Sequence, residues 1–156
     1  MTNEFHSDKV AQHGNVQLLT FKLDEQEYAL NIANVVQVVR MVAVTRAPRA
    51  SDAVEGMINL RGKVIPVVDI RKRCGLPVKE HDLNTQLLIA QTEGHMVALT
   101  VDVVSEVLTM PVANIEATEA VGAEMEFLSS VGKLGDRLIL ILDPKQVLLD
   151  TQMAMA

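Results

Sequence analysis

LLTFKLDEQEYALNIANVVQVVRM, Leu18 to Met41, falls without a gap on LLIAQTEGHMVALTVDVVSEVLTM, Leu87 to Met110, when the chain is laid on itself with an offset of 69. Leu18, Leu19, Ala29, Leu30, Val35, Val38 and Met41 then meet identical residues at Leu87, Leu88, Ala98, Leu99, Val104, Val107 and Met110. With five more residues of offset, LRGKVIPVVD, Leu60 to Asp69, meets LGDRLILILD, Leu134 to Asp143. Self-similarity at a fixed spacing marks one structural unit used twice. The chain is therefore read as two related β lobes, each of roughly sixty residues and too small to be stable alone, which predicts a core shared across their junction. Closing each short sheet into a small barrel removes exposed strand edges. The junction between the lobes is the expected place for a partner groove.

Outward from the repeat, short aliphatic and β-branched runs alternate with turn residues, the pattern of a many-stranded β fold. Gln17 to Leu23 and Glu27 to Ile32 flank the polar break Asp24-Glu25-Gln26, and Val35 to Val39 follows. Val54 to Leu60 precedes a strand from Gly62 to Asp69, in which Pro66 requires an edge or a place outside the ladder. Gln86 to Gln91 and Met96 to Val101 bracket Thr92-Glu93-Gly94-His95, and Arg137 to Asp143 is a last buried run. Helical signal is short. Asp69 to Cys74 suits one turn stopped by Gly75 and Pro77, and Asp143-Pro144 reads as an N-cap with proline in the first helical position, opening a closing helix through Leu149. Asp69 and Asp143, at equivalent strand ends, are expected to cap the turns that follow them.

An apolar content of 49% over 156 residues supplies a core. Aromatic residues are few and tryptophan is missing, so stacking platforms for bases or sugars are lacking. A net charge of −6 disfavours nucleic acid and anionic lipid as principal partners and points to protein. The single cysteine, Cys74, has no internal disulfide partner, which fits a reducing compartment. With no signal-peptide pattern and no apolar run of bilayer length, a cytoplasmic location is expected. Residues 1–15 read as a flexible arm, 16–150 as the folded domain of two lobes, and 151–156 as a flexible tail.

Chemistry needs groups that converge, and spacing brings none together. His6, His13, His81 and His95 lack neighbours at metal-ligand spacing and are read as solvated surface histidines; no metal or cofactor is expected. Gly56, Gly62 and Gly75 are too scattered for a phosphate loop, and Arg71-Lys72-Arg73 is read as a solvated basic face. Asn59-Leu60-Arg61-Gly62 stands out because the second repeat has Leu134-Gly135-Asp136 at Leu60 to Gly62, without the arginine. An arginine at a turn between buried runs presents a bidentate fork for a carboxylate.

GMINLRGKVIPVVDIRKRCGL, Gly56 to Leu76, closely resembles the signature of the CheW-like family. Upstream QEYALNIANVVQVV, the spaced Pro48, Ala50 and Gly56, and downstream FLSSVGKLGDRLILILD stand in register with it. The resemblance covers residues 17 to 149 and is to the family's stand-alone coupling members. It implies an all-β fold of two intertwined small five-stranded SH3-like β-barrels with short helices, including one at the C-terminus. It also implies a non-catalytic adaptor that couples the cytoplasmic tip of methyl-accepting chemotaxis proteins to the regulatory domain of a CheA-type histidine kinase. Recruitment to the inner face of the membrane would then come through receptor arrays, without direct insertion. A pilus, surface-motility or other chemosensory-like pathway is the alternative setting. By the same resemblance Arg61, with Asn59, Leu60 and Gly62, contacts partners, helped by the neighbouring Val35, Val36 and Val38. Gln37 departs from the family, which commonly carries a glutamate there that pairs with the motif arginine; the repeat-equivalent residue is Glu106.

Overall fold

The computed structural model describes residues 14–46, 54–77, 79–117 and 127–148. Its strands are β1 (Asn15–Leu23), β2 (Gln26–Asn31), β3 (Val35–Arg40), β4 (Val54–Leu60), β5 (Lys63–Asp69), β6 (Gln86–Thr92), β7 (His95–Val101), β8 (Val103–Pro111), β9 (Ile115–Ala117), β10 (Leu128–Leu134) and β11 (Arg137–Leu142). One helical turn, α1 (Ile70–Arg73), follows β5, and 3-10 turns occupy Ile32–Asn34 and Val112–Asn114. Residues 144–148 are helical. β1 opens at Asn15, inside the stretch expected to be an arm. Gly14, also in that stretch, accepts the Val112 N–H; residues 1–13, the 151–156 tail, Leu149, Pro48 and Ala50 lie outside the described residues.

Two sheets result, and neither is built from one repeat. Strand order is β8-β1-β2-β11-β10-β9 in the first and β3-β6-β7-β5-β4 in the second. Each repeat thus lends its opening hairpin to the sheet completed by the other repeat, which is the physical content of the word intertwined. The exchange is symmetric down to register. Phe21 faces Val104 and Thr20 faces Glu106, with a bulge between them; Val35 faces Ala90 and Gln37 faces Ile89, with the same bulge. A second pair of bulges, Val54/Gly56 and Leu128/Ser130, also occupies equivalent positions. Parallel pairing of β11 with β2 and of β5 with β7 repeats the match, Ile141 on Ala29 and Val67 on Ala98. Bulges add twist and bend the strands that carry them. In the six-stranded sheet a single 3-10 turn joins the two edge strands β8 and β9. In the five-stranded sheet Thr45, beyond β3, exchanges two 2.8 Å backbone hydrogen bonds with Met57 of β4. The sixth strand, β9, is an addition to the expected five.

Exchange of hairpins also explains why the strands read as nearly unbroken aliphatic runs. The exchanged strands β1, β2, β6 and β7 are buried on both faces over their central residues. One face of each sheet fills its own lobe: Val16, Leu18, Ala29, Met110, Ile139 and Ile141 in the six-stranded lobe, and Ile58, Ile65, Val67, Leu87, Ile89 and Ala98 in the five-stranded one. The opposite faces meet in the largest cluster, where Leu19, Phe21, Tyr28 and Leu30 pack with Leu88, Val97, Leu99 and Leu142. The junction expected to offer a groove is therefore apolar core. Phe21 and Tyr28 stack there with centroids 5.9 Å apart, an arrangement worth about 1 kcal/mol beyond burial.

Pro66 sits inside the sheet, between β4 and β7, and is tolerated by register. Its partner Met57 spends both backbone groups on Thr45, so Met57–Pro66 is a non-hydrogen-bonded pair, and pairing of β5 with β7 begins only at Val67. Both predicted caps are present. Asp69 Oδ1 accepts from Arg71 N and Lys72 N, and Asp143 Oδ1 accepts from Lys145 N and Gln146 N.

Candidate partner-binding groove

Arg61 and Gly62 are the two central residues of the β4–β5 hairpin turn, with φ of 54° and 84°. Positive φ at both positions is the type I′ pattern whose twist matches flanking strands. Glycine supplies it freely, whereas an arginine there gives up on the order of 1 kcal/mol. Asn59 holds the turn, its Oδ1 accepting the Gly62 N–H at 3.0 Å. The motif thus divides its labour: Asn59 and Gly62 shape the turn, and Arg61 is projected by it. Arg61 is exposed and makes no hydrogen bond or ion pair with the described residues.

Beside the turn a groove of about 170 Å³ opens onto the interior of the five-stranded lobe, lined by Val36, Gln37, Leu60, Arg61, Lys63, Ile65 and Met96. Leu60, Ile65 and Met96 continue the lobe's own apolar cluster to the surface. The bulge in β3 brings Val36 out, 42% exposed, and Gln37 beside it. Among the described residues, two cations and no carboxylate line the groove. Chemically it suits an apolar side chain flanked by an acidic group, with Arg61 free to fork a carboxylate.

Of the residues singled out in the sequence, Val36, Gln37, Leu60 and Arg61 converge here. Val35 and Val38 do not; both are half-buried against the cluster between the lobes. Their contribution is packing of β3, which sets where Val36 and Gln37 stand. Lys63 and Met96 were missed because a lysine after a turn and a methionine on a strand are ordinary; their repeat partners, Arg137 and Glu27, were the available signal.

Two basic or titratable readings need correction. Arg71 is not solvated but 7% exposed. It caps nothing; it bridges Asp24 and Asp102. His81 places Nε2 2.7 Å from Glu55 Oε2 and is half-buried, whereas His95 is exposed and His6 and His13 lie outside the described residues. Among the described residues no group of three His, Cys, Asp or Glu side chains is placed to hold a metal. No described helix is long and apolar enough to cross a membrane.

Comparison with known proteins agrees with this fold. The CheW-like domain family matches residues 17–152. The chain is 32% identical over 145 residues to the chemotaxis protein CheW of Rhizobium meliloti, covering 92% of each chain. It is 30% identical over 141 residues to that of Klebsiella aerogenes, covering 89% of this chain and 85% of the relative. The crystal structure of the scaffolding protein TtCheW from Thermoanaerobacter tengcongensis superposes with a TM-score of 0.78 at 33% identity, covering 83% of this chain and 90% of that one. With the exchanged hairpins and the Asn59–Gly62 turn in place, the chain belongs to the CheW-like family.

Proposed function

We propose that this chain is a non-catalytic adaptor of a chemotaxis signalling array, with residues 16–150 as its coupling domain. It joins the cytoplasmic tip of methyl-accepting chemoreceptors to the regulatory domain of a CheA-type histidine kinase, in the cytoplasm at the inner face of the membrane. The observation that carries this reading is the groove of Val36, Leu60, Ile65 and Met96, with an exposed Arg61 held at its lip by a conformationally costly turn. An apolar groove edged by cations receives an amphipathic helix through spaced apolar anchors, with a carboxylate beside them. Modest affinity suffices, since many linked contacts raise the effective concentration of each.

The test is Arg61→Glu. The variant is expected to unfold at the wild-type midpoint, because Arg61 has no partner in the described chain, yet to lose capture of receptor or kinase in ternary-complex pull-downs. Wild-type recovery of ternary complex by Arg61→Glu would remove Arg61 as the contact.

A further inference from the structure

The groove has an exact counterpart in the other lobe, and it is filled with charge. Under the repeat, Gln37 corresponds to Glu106, Met96 to Glu27, Lys63 to Arg137 and Arg61 to Gly135, while Leu60 and Ile65 correspond to the identical residues Leu134 and Ile139. The strand registers carry this correspondence into space: Thr20–Glu106 matches Ile89–Gln37, and Ile139 pairs with Glu27 in the parallel ladder whose Ile141–Ala29 pair is the counterpart of Val67–Ala98 in the other sheet. Arg137 donates from Nε to Glu27 Oε1 at 2.9 Å, and from Nη2 to Glu27 Oε2 at 2.7 Å and to Glu106 Oε2 at 3.1 Å. Three strands, β2, β8 and β11, are thereby tied together over the apolar floor of Leu134 and Ile139.

We propose that the Arg137–Glu27–Glu106 cluster closes the mouth of the six-stranded lobe that corresponds to this groove, so that of the two equivalent mouths the one in the five-stranded lobe admits an apolar helical segment. The inference rests on the receptor-coupling reading for its partner. Its physical basis is selective exclusion. An apolar side chain entering the counterpart must strip water from three charges and break a bidentate pair while offering no replacement. In the five-stranded lobe the same positions carry an amide, a thioether and a lysine, and entry breaks no ion pair among them. Duplicated lobes would otherwise present duplicated sites, and the three substitutions separate them.

The experiment grafts the open mouth onto the closed one with Glu27→Met, Glu106→Gln, Gly135→Arg and Arg137→Lys. Gly135 has φ of 60°, beside 54° at Arg61, so the turn already holds the conformation the new arginine needs. Cooperative unfolding in urea checks the fold; should the fourfold variant lose it, the pair Glu27→Met with Arg137→Lys replaces it. Titration calorimetry with a helical hairpin from a chemoreceptor tip is expected to count one site in the wild type, two in the graft, and one again when Arg61→Glu is added to the graft. One site in a folded graft, or two in the wild type, overturns the closure. An apolar dye, anilinonaphthalene sulfonate, reports the newly opened mouth without any receptor, and its bound stoichiometry is expected to rise by about one site in the graft. A dye gain with no tip binding by either protein keeps the closure and overturns the receptor reading; no dye gain overturns the closure.

Discussion

Arg71 donates from Nη1 to Asp102 Oδ2 at 2.8 Å, joining α1 of the first repeat to the β7–β8 connection of the second. Its Nη2 reaches both oxygens of Asp24, at 2.8 and 3.0 Å, its Nε donates to Pro77 O, and the Asp24 N–H donates to Asp102 Oδ2. One guanidinium therefore pins the β1–β2 turn, the β7–β8 connection and the segment after α1. Burial pulls its pKa down, but the hydrogen bond it donates to Asp24 and the charge of Asp102 more than offset this and keep it charged.

Arg71→Met is expected to destabilise the fold by about 2–4 kcal/mol, because Asp102, largely buried, loses its guanidinium and is left with the Asp24 N–H and a Lys79 ammonium 4.0 Å away, while the half-exposed Asp24 loses less. Arg71→Lys is expected to fall between, retaining charge but not the fork. Urea unfolding at pH 7 measures both. Equal midpoints for wild type and Arg71→Met would show the clamp to be idle.

Gly56 is required for a different reason. A Cβ on it would lie 2.1 Å from Thr45 O, the atom that accepts the Met57 N–H. Gly56→Ala must therefore break the two-bond bridge that ties β4 to the segment beyond β3, at a loss of about 2–4 kcal/mol including strain. Gly62→Ala meets no atom within 4 Å and faces only its φ of 84°, a loss of about 1 kcal/mol. Thermal unfolding should rank Gly56→Ala well below Gly62→Ala; the reverse order would remove the bridge as a stabilising element.

How much of this was legible in the chain follows from which signals are local. Hairpins at Asp24, Arg61 and Glu93 were legible because their turns carry polar residues or glycine between aliphatic runs, and the caps at Asp69 and Asp143 because capping acts within three residues. β8 escaped notice since Ser105, Glu106 and Thr109 interrupt its apolar run at a sheet edge, and β10 because Ser129, Ser130 and Gly132 do the same. Gly132 is small for a long-range reason, the Met110 Sδ lying 2.8 Å from where a Cβ would be. The repeat itself was plain, but not the exchange of hairpins between its halves: pairing of Ile139 with Glu27 spans most of the chain and leaves no local mark. Arg71 was misread likewise, because both its carboxylates arrive from distant turns.

Cys74 is predicted to be a sluggish nucleophile. Burial pushes its thiol from an ordinary 9.0 up to about 11, with the Tyr28 hydrogen bond and the Arg73 charge opposing. At pH 8 the thiolate is then about 100-fold scarcer in the folded chain than in the unfolded one. Iodoacetamide alkylation should be slower by at least that factor in buffer than in urea, and comparable rates would contradict a buried neutral thiol. Since the folded pKa is the higher, the stabilisation of the protonated thiol is complete below pH 9 and is lost as pH rises through about 11.

Glu27 gives the opposite pH dependence. The hydrogen bond from Arg137 holds its carboxyl below the ordinary 4.5, against the effect of burial. A depressed folded pKa contributes stability that is present above 4.5 and disappears as pH falls through the folded value. Glu27→Gln should therefore be less stable than wild type at pH 7, with the gap closing as the medium is acidified below 4.5. A gap independent of pH, followed by urea titration, would assign the loss to packing instead.

Gln37→Glu tests how the groove reads its partner. Gln37 lines the same groove as Arg61 and Lys63, with no acidic residue among them. A carboxylate there draws the free guanidinium into an internal charge-assisted pair and makes the rim less positive. The side chain is half-buried on β3 and contributes to neither apolar cluster beside it, so folding stability should stay within about 0.5 kcal/mol of wild type. Affinity for an acidic receptor tip should fall by about 3–10-fold at low salt, and the difference should shrink as ionic strength rises and screens the rim. Titration of both proteins at two salt concentrations decides the matter: identical affinities and identical kinase activation at low salt would mean that Arg61 engages its partner without regard to position 37, and that the amide found here has no bearing on partner choice.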